Sequence, residues 1–518
     1  MMTEAAANPR APQRYSLIAI VVCIGVYAFV QAIAYTEIGA FEYPLDDVYI
    51  HLAVAEQIAT GGYGVNRGEY SSAASSPLYP FLLTPLARSS FHAWLPAFWN
   101  LLAMVLAAGL WGKIVSCAVS DRRWAVVLAA IGPLAFNLPG STFVGMEHTI
   151  HLLLGIAVLR GLQIKFEEGY ISWLLIAGML LGPMIRFEGL AVTGGAALVL
   201  ALTGRWVLGS ILFTGATFLI AAFAVFLIYL GLEPLPNSVI AKLTLSGQEK
   251  HSMLSSIPVK LLVNLFSDKA IALLLAVFLS VGVMVITPRS SRIMRACLTA
   301  AIFVGIGHLI LGKFGWFNRY ELYAINFVIG MLILALFRTQ GLTREKLALL
   351  GILLYLSASY TSILIKDGRY APAGIYSQQR NMSRFVSEVY KKPVAVNDLG
   401  YVAWNNSDYV LDLWGLASYR ALRTRLDNPY DGWAGDLMKE RGVELAMIYD
   451  KWIKEGIGKD WIKVGQLQYT GDAAFLGDFD VSFYATNELA AQAIRAQLDE
   501  FKPTVEGKAR LVTFPEGH

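Results

Sequence analysis

The chain has 518 residues, of which 56% are of hydrophobic type and 15% are charged. Soluble domains usually carry about 25% charged residues, and repeated apolar stretches of membrane-spanning length account for the difference. The net charge of +4 is small and no basic run or nucleic-acid-binding motif is present, so a nucleic-acid partner is excluded. Three cysteines in or beside apolar segments give no disulfide framework or zinc site.

Charge is distributed unevenly along the chain. The 154 residues after residue 364 contain 40 of the 80 Asp, Glu, Lys and Arg residues, and the first 364 residues share the other 40. This shift in composition predicts a membrane domain over 1–364 and a soluble C-terminal domain over 365–518.

Eleven apolar segments predict eleven transmembrane helices in the membrane domain. They lie near residues 15–34, 95–117, 124–139, 146–162, 171–185, 188–203, 206–231, 269–287, 296–313, 321–337 and 347–364. Lys and Arg concentrate in every second short loop, which places those loops and the N-terminus in the cytoplasm. The odd number of spans then places the C-terminal domain on the opposite, periplasmic or extracytoplasmic side of the membrane.

The first outer loop, residues 35–94, is the longest loop on that side. Its segment "DDVYIHLAVAEQIAT" has apolar residues at helical spacing, and "PLYPFLLTPLA" predicts a short half-buried helix. The Gly- and Ser-rich residues 61–76 between them predict a loop that can close over a ligand.

The C-terminal domain mixes β-type runs with helical stretches. Residues 487–501 predict a helix. The predicted strands are "PVAVND" (393–398), "DYVLDLWG" (408–415), "VELAMIYD" (443–450) and "DVSFYAT" (480–486). This pattern predicts a small α/β domain.

Ionisable residues of the membrane domain gather in the outer loops. They include Asp46, Asp47, Glu147, Arg186, Glu188, Lys242 and Arg319. Charged side chains at membrane depth are costly and tend to mark functional sites. We therefore expect a functional site at the outer membrane–water boundary, where lipid-linked phosphate substrates reside.

Two interpretations of Asp46 follow from its position before a predicted helix. Asp46 can be a helix N-cap, with Asp47 in the first turn where the helix dipole favours an acid. Alternatively, a carboxylate here can act as general base on an attacking hydroxyl, with nearby Lys or Arg stabilising a departing phosphate. The two roles are compatible, because a capped carboxylate is also held rigidly.

The outer-loop motifs resemble those of the GT-C superfamily of membrane glycosyltransferases, and most closely its terminal arabinofuranosyltransferase-like branch. An acidic pair after the first span is a feature of this superfamily. The similar elements are "DDVYI" (46–50), "GGYGVNRGEYSSAASSPLYP" (61–80), "GMEH" (145–148), "RFEG" (186–189), "LPNSVIAK" (235–242), "NRY" (318–320), "NDLGYVAW" (397–404) and "LDLWGLA" (411–417). Phe187 stands where the branch has Pro, Met146 where it has Leu, and residues 66–76 differ more.

The resemblance implies a GT-C fold and inverting transfer of a sugar, such as the pentose arabinofuranose. The donor would be a polyprenyl-phosphate-linked sugar, and the acceptor would be an envelope glycan or glycolipid. The protein would also contact membrane lipids. Asp46 would be the base and Asp47 would orient the acceptor or hold a metal. The adjacent acids permit Mg²⁺ or Mn²⁺ without requiring it, so no cofactor is assigned. The implied substrate contacts are Tyr49, Glu147, His148, Arg186, Glu188, Asn237, Lys242, Arg319 and Tyr320.

Structural interpretations of these residues stay open. Arg186 and Glu188 can form an ion pair at a helix end, and His148 can be a hydrogen-bonded interior histidine. Asn237 can be a helix cap, and Lys242 and Arg319 can extend towards lipid headgroups.

Two other functions compete with glycosyl transfer. A transporter or flippase of a lipid-linked sugar predicts inverted repeats and midplane charges, and neither occurs in the sequence. Transfer of a group such as phosphoethanolamine usually needs a metal cluster in the exported domain. The residues after 364 contain a single histidine, at the C-terminus, so this chemistry is disfavoured.

Overall fold

Helices make up most of the chain in the computed structural model, which describes residues 11–244, 257–427, 429–472 and 474–516. The α-helices are α1 Ala11–Ile38, α2 Asp47–Ala59, α3 Tyr79–Leu83, α4 Leu95–Ala118, α5 Arg122–Ala135, α6 Leu138–Val144, α7 His148–Glu168, α8 Trp173–Ile185, α9 Gly189–Leu202, α10 Trp206–Tyr229, α11 Asn237–Thr244, α12 Ile257–Leu265, α13 Asp268–Ile286, α14 Arg292–Leu311, α15 Leu322–Leu336, α16 Thr343–Ser377, α17 Gln379–Arg384, α18 Gly400–Ala403, α19 Tyr419–Asp427, α20 Trp433–Arg441 and α21 Glu488–Phe501. Short 3₁₀-helices occur at His92–Trp94, Lys454–Gly456 and Lys502–Thr504, and a π-helix at Phe385–Tyr390.

Eight helical stretches of the described residues are long and apolar enough to cross a membrane. They are Gln13–Ile38, His92–Ala118, Arg122–Val144, His148–Glu168, Trp206–Tyr229, Asp268–Ile286, Arg292–Leu311 and Thr343–Tyr390. The apolar helices α8, α9 and α15 have only 13, 14 and 15 residues, which corresponds to about 20 Å. Every predicted span overlaps one of these helices, which confirms the membrane character. The count of eleven spans stays a prediction.

The described residues divide into two compact units. The helix unit lies within residues 1–29, 97–222 and 250–365, and the sheet unit within residues 30–96, 223–249 and 366–518. The sequence-based division at residue 364 differs from this grouping. The first outer loop belongs to the same unit as the C-terminal residues, because its side chains bond to them.

The helix unit is built around α15. Every residue of this helix is buried, as expected for a helix that is apolar on all sides. Helices α7, α9, α13 and α14 pack around it. The ends of the surrounding helices carry the polar residues described below.

The sheet unit contains a six-stranded mixed sheet. Its strands are β1 Val394–Val396, β2 Val410–Asp412, β3 Leu445–Ile448, β4 Ile462–Tyr469, β5 Asp480–Ala485 and β6 Ala509–Thr513. The strand order is β2-β1-β3-β5-β4-β6, with β1 parallel to β2 and β3 and the other pairs antiparallel. The four predicted strands and the helix α21 are confirmed, whereas β4 and β6 were not predicted. Asp398 lies two residues after β1, at the carboxyl end of a parallel strand, which is where ligands bind in many α/β sheets.

Candidate functional site

Asp46 caps a helix, but not the one that follows it in sequence. It occupies the residue before α2 with helical dihedral angles, and its side chain makes no capping bond there. Instead, Oδ2 accepts the backbone N–H of Gly400 at 2.6 Å and Oδ1 accepts that of Tyr401 at 2.8 Å. These amides belong to the first turn of α18, where N–H groups lack partners within the helix. Asp46 therefore ties the first outer loop to the loop after β1.

Asp46 also lies beside a second carboxylate, that of Asp398, which is not among the site residues predicted from the sequence. The carboxylates of Asp46 and Asp398 are close enough for each to shift the pKa of the other. Gln379 Nε2 donates to Asp398 at 2.8 Å, and the Tyr449 hydroxyl lies 3.3 Å from the same oxygen. Burial and then the charge of Asp398 raise the pKa of Asp46 well above its usual range, although the two N–H donors oppose this shift.

Asp47 completes an acidic group formed by Asp46, Asp47 and Asp398. It lies in the first turn of α2 and is partly exposed, whereas Asp46 is only 6% exposed. Burial raises the pKa of Asp398, and the nearby charge of Asp47 raises it further. Of the two adjacent acids, Asp47 is thus the more accessible one.

A signal for Asp398 is present in the sequence. "PVAVND" ends in two polar residues directly after a buried run of three residues, the pattern expected where a parallel strand delivers a side chain to a site. The first of these residues, Asn397, accepts the backbone N–H of Tyr449 at 2.8 Å. Asp398 alone is left to face the acids of the first outer loop.

Replacing Gly400 with Ala is expected to loosen this junction. An ideal Cβ at Gly400 would lie 2.2 Å from the Asp46 carbonyl oxygen and 2.7 Å from Oδ2. Overpacking of this kind costs roughly 1–3 kcal/mol, so we expect a lower melting temperature and faster amide exchange at Tyr401. Gly435→Ala is the matched control, because its nearest contact would be an ordinary 3.5 Å to Trp461. Equal melting temperatures for the two variants would contradict the expected clash.

Tyr49 belongs to a buried network around Glu42. Glu42 is 4% exposed and accepts the backbone N–H of Tyr43 at 2.9 Å and the hydroxyl of Tyr49. The Tyr401 hydroxyl lies 3.4 Å from the other Glu42 oxygen, and the rings of Tyr49 and Tyr401 are 4.0 Å apart. Burial raises the pKa of Glu42 from 4.5 to about 7. The Tyr49 hydroxyl is therefore already engaged by a protein group.

The raised pKa of Glu42 predicts that the stability of the folded protein depends on pH. Because the folded-state pKa of Glu42 is raised from 4.5 to about 7, the unfolded state ionises first and stability is lost as pH rises through this window. The loss is at most about 3 kcal/mol. In Glu42→Gln we expect a smaller fall in melting temperature between pH 5 and pH 8 than in the wild type. The control is Glu500→Gln on the exposed face of α21, and an identical pH dependence in both variants would contradict the prediction.

Asn237 is the first residue of α11 rather than its cap. Its backbone N–H donates to Ser72 Oγ at 3.1 Å, and Ser238 Oγ donates to the carbonyl of Ala74 at 3.1 Å. The helix is thus tied to the Gly- and Ser-rich loop. The side chain of Lys242, in the same helix, lies outside the described residues.

The helix unit contains an ionic group formed by Glu147, Arg186 and Glu188. Arg186 donates from Nη1 to Glu147 Oε1 at 2.5 Å and from Nη2 to Glu188 Oε1 at 2.7 Å. The two glutamates directly precede α7 and α9, and Arg186 directly follows α8. Each charge therefore has the sign that stabilises its helix terminus. Arg186 and Glu188 thus form the ion pair at a helix end that was one interpretation of the sequence, and Glu147 is a second partner of Arg186.

The ionic group is electrostatically coupled. Burial alone would raise the pKa of Glu188, but the charge and hydrogen bond of Arg186 outweigh it and lower the pKa to about 2. Burial acts to lower the pKa of Arg186, and the two carboxylates nevertheless raise it above its ordinary value. Arg186 and Glu188 are accordingly both charged at neutral pH.

Tyr320 lies between two guanidinium groups. Arg186 is 5.8 Å and Arg319 5.3 Å from the centre of its ring, both within the range of a cation–π interaction. The ring of His148 is 6.3 Å away. Arg319 is 2% exposed and contacts the Met146 sulfur. Buried guanidinium groups of this kind are suited to binding phosphate.

A divalent metal does not fit the acidic group as it stands. Both oxygens of Asp46 already accept backbone N–H groups, so this carboxylate is not directed at an ion. Across the described ranges, no group of three or more His, Cys, Asp or Glu side chains has the arrangement of a metal site.

Comparisons with known proteins address the fold. Residues 371–484 match a family model described as a domain of unknown function, DUF8728, and no curated protein matches the chain. The chain is similar to the crystal structure of the Archaeoglobus fulgidus oligosaccharyltransferase in the apo form. The TM-score is 0.54 and the identity 11%, over 96% of this chain and 78% of that one. The complex of that oligosaccharyltransferase with Zn and sulfate gives a TM-score of 0.53 at 11% identity, over 92% and 73%.

The chain therefore has an oligosaccharyltransferase-like fold, with apolar helices and a C-terminal sheet domain. This result supports the predicted combination of a polytopic helical part with a C-terminal α/β domain. The arabinofuranosyltransferase-like branch stays a prediction.

Proposed function

We propose that this protein is an inverting membrane glycosyltransferase. It transfers a sugar, with the pentose arabinofuranose as the first candidate, from a polyprenyl-phosphate donor to an envelope glycan or glycolipid. The site lies on the outer face of a bacterial inner membrane. The observation that carries the proposal is the acidic group of Asp46, Asp47 and Asp398, held rigidly between α2 and α18 in a chain whose fold matches an oligosaccharyltransferase.

In this proposal Asp47 takes the role of general base that the resemblance gave to Asp46, and Asp46 is a positioning residue. Both oxygens of Asp46 accept backbone N–H groups, whereas Asp47 is partly exposed. Asp47 takes the proton of the acceptor hydroxyl while the oxygen of that hydroxyl forms a bond to the anomeric carbon. The bond from that carbon to the phosphate oxygen breaks on the opposite face, and polyprenyl phosphate leaves with the electron pair.

The departing phosphate needs positive charge. Arg319 and Lys242 are proposed to bind it, since charge-assisted bonds to phosphate are strong. Tyr49, Glu147, His148, Arg186, Glu188, Asn237 and Tyr320 remain proposed substrate contacts. The Zn complex of the oligosaccharyltransferase gives a reason to include a metal in the test.

The test is sugar transfer by purified protein in lipid nanodiscs, with a panel of polyprenyl-phosphate sugars. The expected result is consumption of one donor by the wild type and not by Asp47→Asn. Each reaction is run with a chelator and with added Mg²⁺, Mn²⁺ or Zn²⁺, which decides the metal requirement. Failure to consume any donor under these conditions, together with movement of the sugar-lipid across liposome membranes, would favour a flippase instead.

A further inference from the structure

Four consecutive residues of the helix unit have a left-handed backbone. The φ values of Gly315, Trp316, Phe317 and Asn318 are 95°, 46°, 60° and 49°. Glycine adopts this conformation freely and asparagine tolerates it, but in Trp and Phe the Cβ comes too close to the following carbonyl oxygen. Such a backbone persists only where the surroundings impose it, and it occurs most often at functional sites.

Side chains from other parts of the unit hold this turn. The Glu321 carboxylate accepts the backbone N–H of Gly315 at 3.2 Å and the hydroxyl of Tyr360 at 3.0 Å. Asn137 Nδ2 donates to the backbone carbonyl of Asn318 at 3.2 Å. Glu321 and Asn137 therefore fix the two ends of the turn.

The middle of the turn is also fixed, and so is the clamp, by which we mean the Glu321 carboxylate with its hydrogen bonds to Gly315 and Tyr360. The Phe317 side chain is 2% exposed, and its ring stacks on Phe143 with centroids 6.2 Å apart. Glu321 is fully buried, and Lys269 Nζ lies 5.5 Å from the centre of the Tyr360 ring. The ring of Tyr360 is thus packed against a lysine side chain of α13.

The turn leads directly into Arg319 and Tyr320. The backbone N–H of Arg319 bonds to the carbonyl of Gly315 at 3.4 Å. The Arg319 guanidinium lies over the Tyr320 ring and contacts the Met146 sulfur. Because the turn fixes the backbone of Arg319, it also sets the direction in which this side chain leaves the backbone.

We propose that Glu321, oriented by Tyr360, is a positioning residue that holds the 315–318 turn and thereby directs Arg319 to the phosphate of a polyprenyl-phosphate lipid. This proposal rests on the proposed function, in which Arg319 binds the donor phosphate. Glu321 itself touches no substrate in it. Its effect reaches the lipid only through the turn.

The experiment uses the full chain in nanodiscs and two variants, Tyr360→Phe and Glu321→Gln. Tyr323→Phe is the matched control, because Tyr323 is a buried tyrosine of the same unit whose hydroxyl contacts His308 at 2.9 Å instead. Hydrogen exchange of the peptide covering residues 315–319 reports the turn. Titration with polyprenyl monophosphate reports the phosphate contact.

Loss of one clamping hydrogen bond is expected to weaken lipid-phosphate affinity about tenfold. Exchange in the 315–319 peptide rises in both variants and not in the control, even when the three are compared at equal distance below their melting temperatures. Adding Trp316→Gly to Tyr360→Phe restores part of the affinity, since glycine adopts the left-handed conformation without the clamp.

The outcomes separate this proposal from the proposed function. Unchanged hydrogen exchange of the 315–319 peptide in both variants would show that Glu321 and Tyr360 do not hold the turn. Faster exchange with wild-type affinity overturns the positioning role of Glu321 while the proposed function stands. A wild type that neither binds polyprenyl monophosphate nor turns over any donor overturns the proposed function and the lipid target with it, and the exchange data then decide the clamp alone.

Discussion

Asp47→Asn is expected to lower kcat for sugar transfer roughly 10²- to 10⁴-fold, the range attributed to a general base. The amide cannot accept the proton of the acceptor hydroxyl, but it preserves the size of the side chain in the first turn of α2. We therefore expect little change in donor KM and in melting temperature. Steady-state kinetics with the donor found in the panel measures this effect.

Asp46→Asn separates the two adjacent acids. Its amide oxygen replaces only one of the two carboxylate oxygens that accept the N–H groups of Gly400 and Tyr401. Loss of such a cap costs roughly 0.5–2 kcal/mol, so we expect a lower melting temperature and a smaller fall in kcat than in Asp47→Asn. Asp431→Asn, at an exposed position, is the control. The assignment of the base to Asp47 fails if Asp46→Asn is the less active variant at equal folding.

Local sequence pattern was sufficient for most elements of the C-terminal domain. The strands β1, β2, β3 and β5 are short and almost entirely buried, and most of their residues are apolar. By contrast, β4 alternates in burial, contains Gly465 and has a register irregularity beside it. Its stability comes from its neighbours β5 and β6, which a local pattern cannot reveal.

The partner of Asp46 could not be predicted from the sequence. Asp before a helix is a favoured N-cap, and the segment after it is indeed helical. The N–H groups that it accepts are more than 350 residues away at Gly400 and Tyr401. Only the fold brings the first outer loop and the loop after β1 together, so the same residue preference was satisfied by a different helix.

The outer-loop charges were only partly predictable for a related reason. The sequence placed Glu147, Arg186 and Glu188 at ends of apolar segments, and the structure has them at helix ends. The pairing of one guanidinium with both carboxylates depends on how α7, α8 and α9 pack. The left-handed turn was even less accessible, because Trp316 and Phe317 are not turn-forming residues and their conformation is imposed by tertiary contacts.

Arg186→Met is expected to destabilise the protein by roughly 3–5 kcal/mol, the cost of breaking a buried ion pair from one side. Glu147 is fully buried, and without Arg186 it loses the guanidinium 2.5 Å away. Arg186→Lys should recover only part of the loss, because an ammonium lacks the planar fork that reaches both carboxylates. Melting temperature at pH 7 in nanodiscs measures the effect.

A compensating variant distinguishes an uncompensated charge from lost packing. Adding Glu147→Gln to Arg186→Met removes the buried charge, and we expect most of the melting temperature to return.

The dependence of stability on pH provides a second check of the ion pair. The folded-state pKa of Glu188 is lowered from 4.5 to about 2, so its stabilising pairing is fully present above pH 4.5 and is lost as pH falls towards 2. Arg186→Met should therefore lose less stability than the wild type in that acidic window. A double variant as unstable as Arg186→Met would instead mean that the stem of Arg186 contributes mainly by packing.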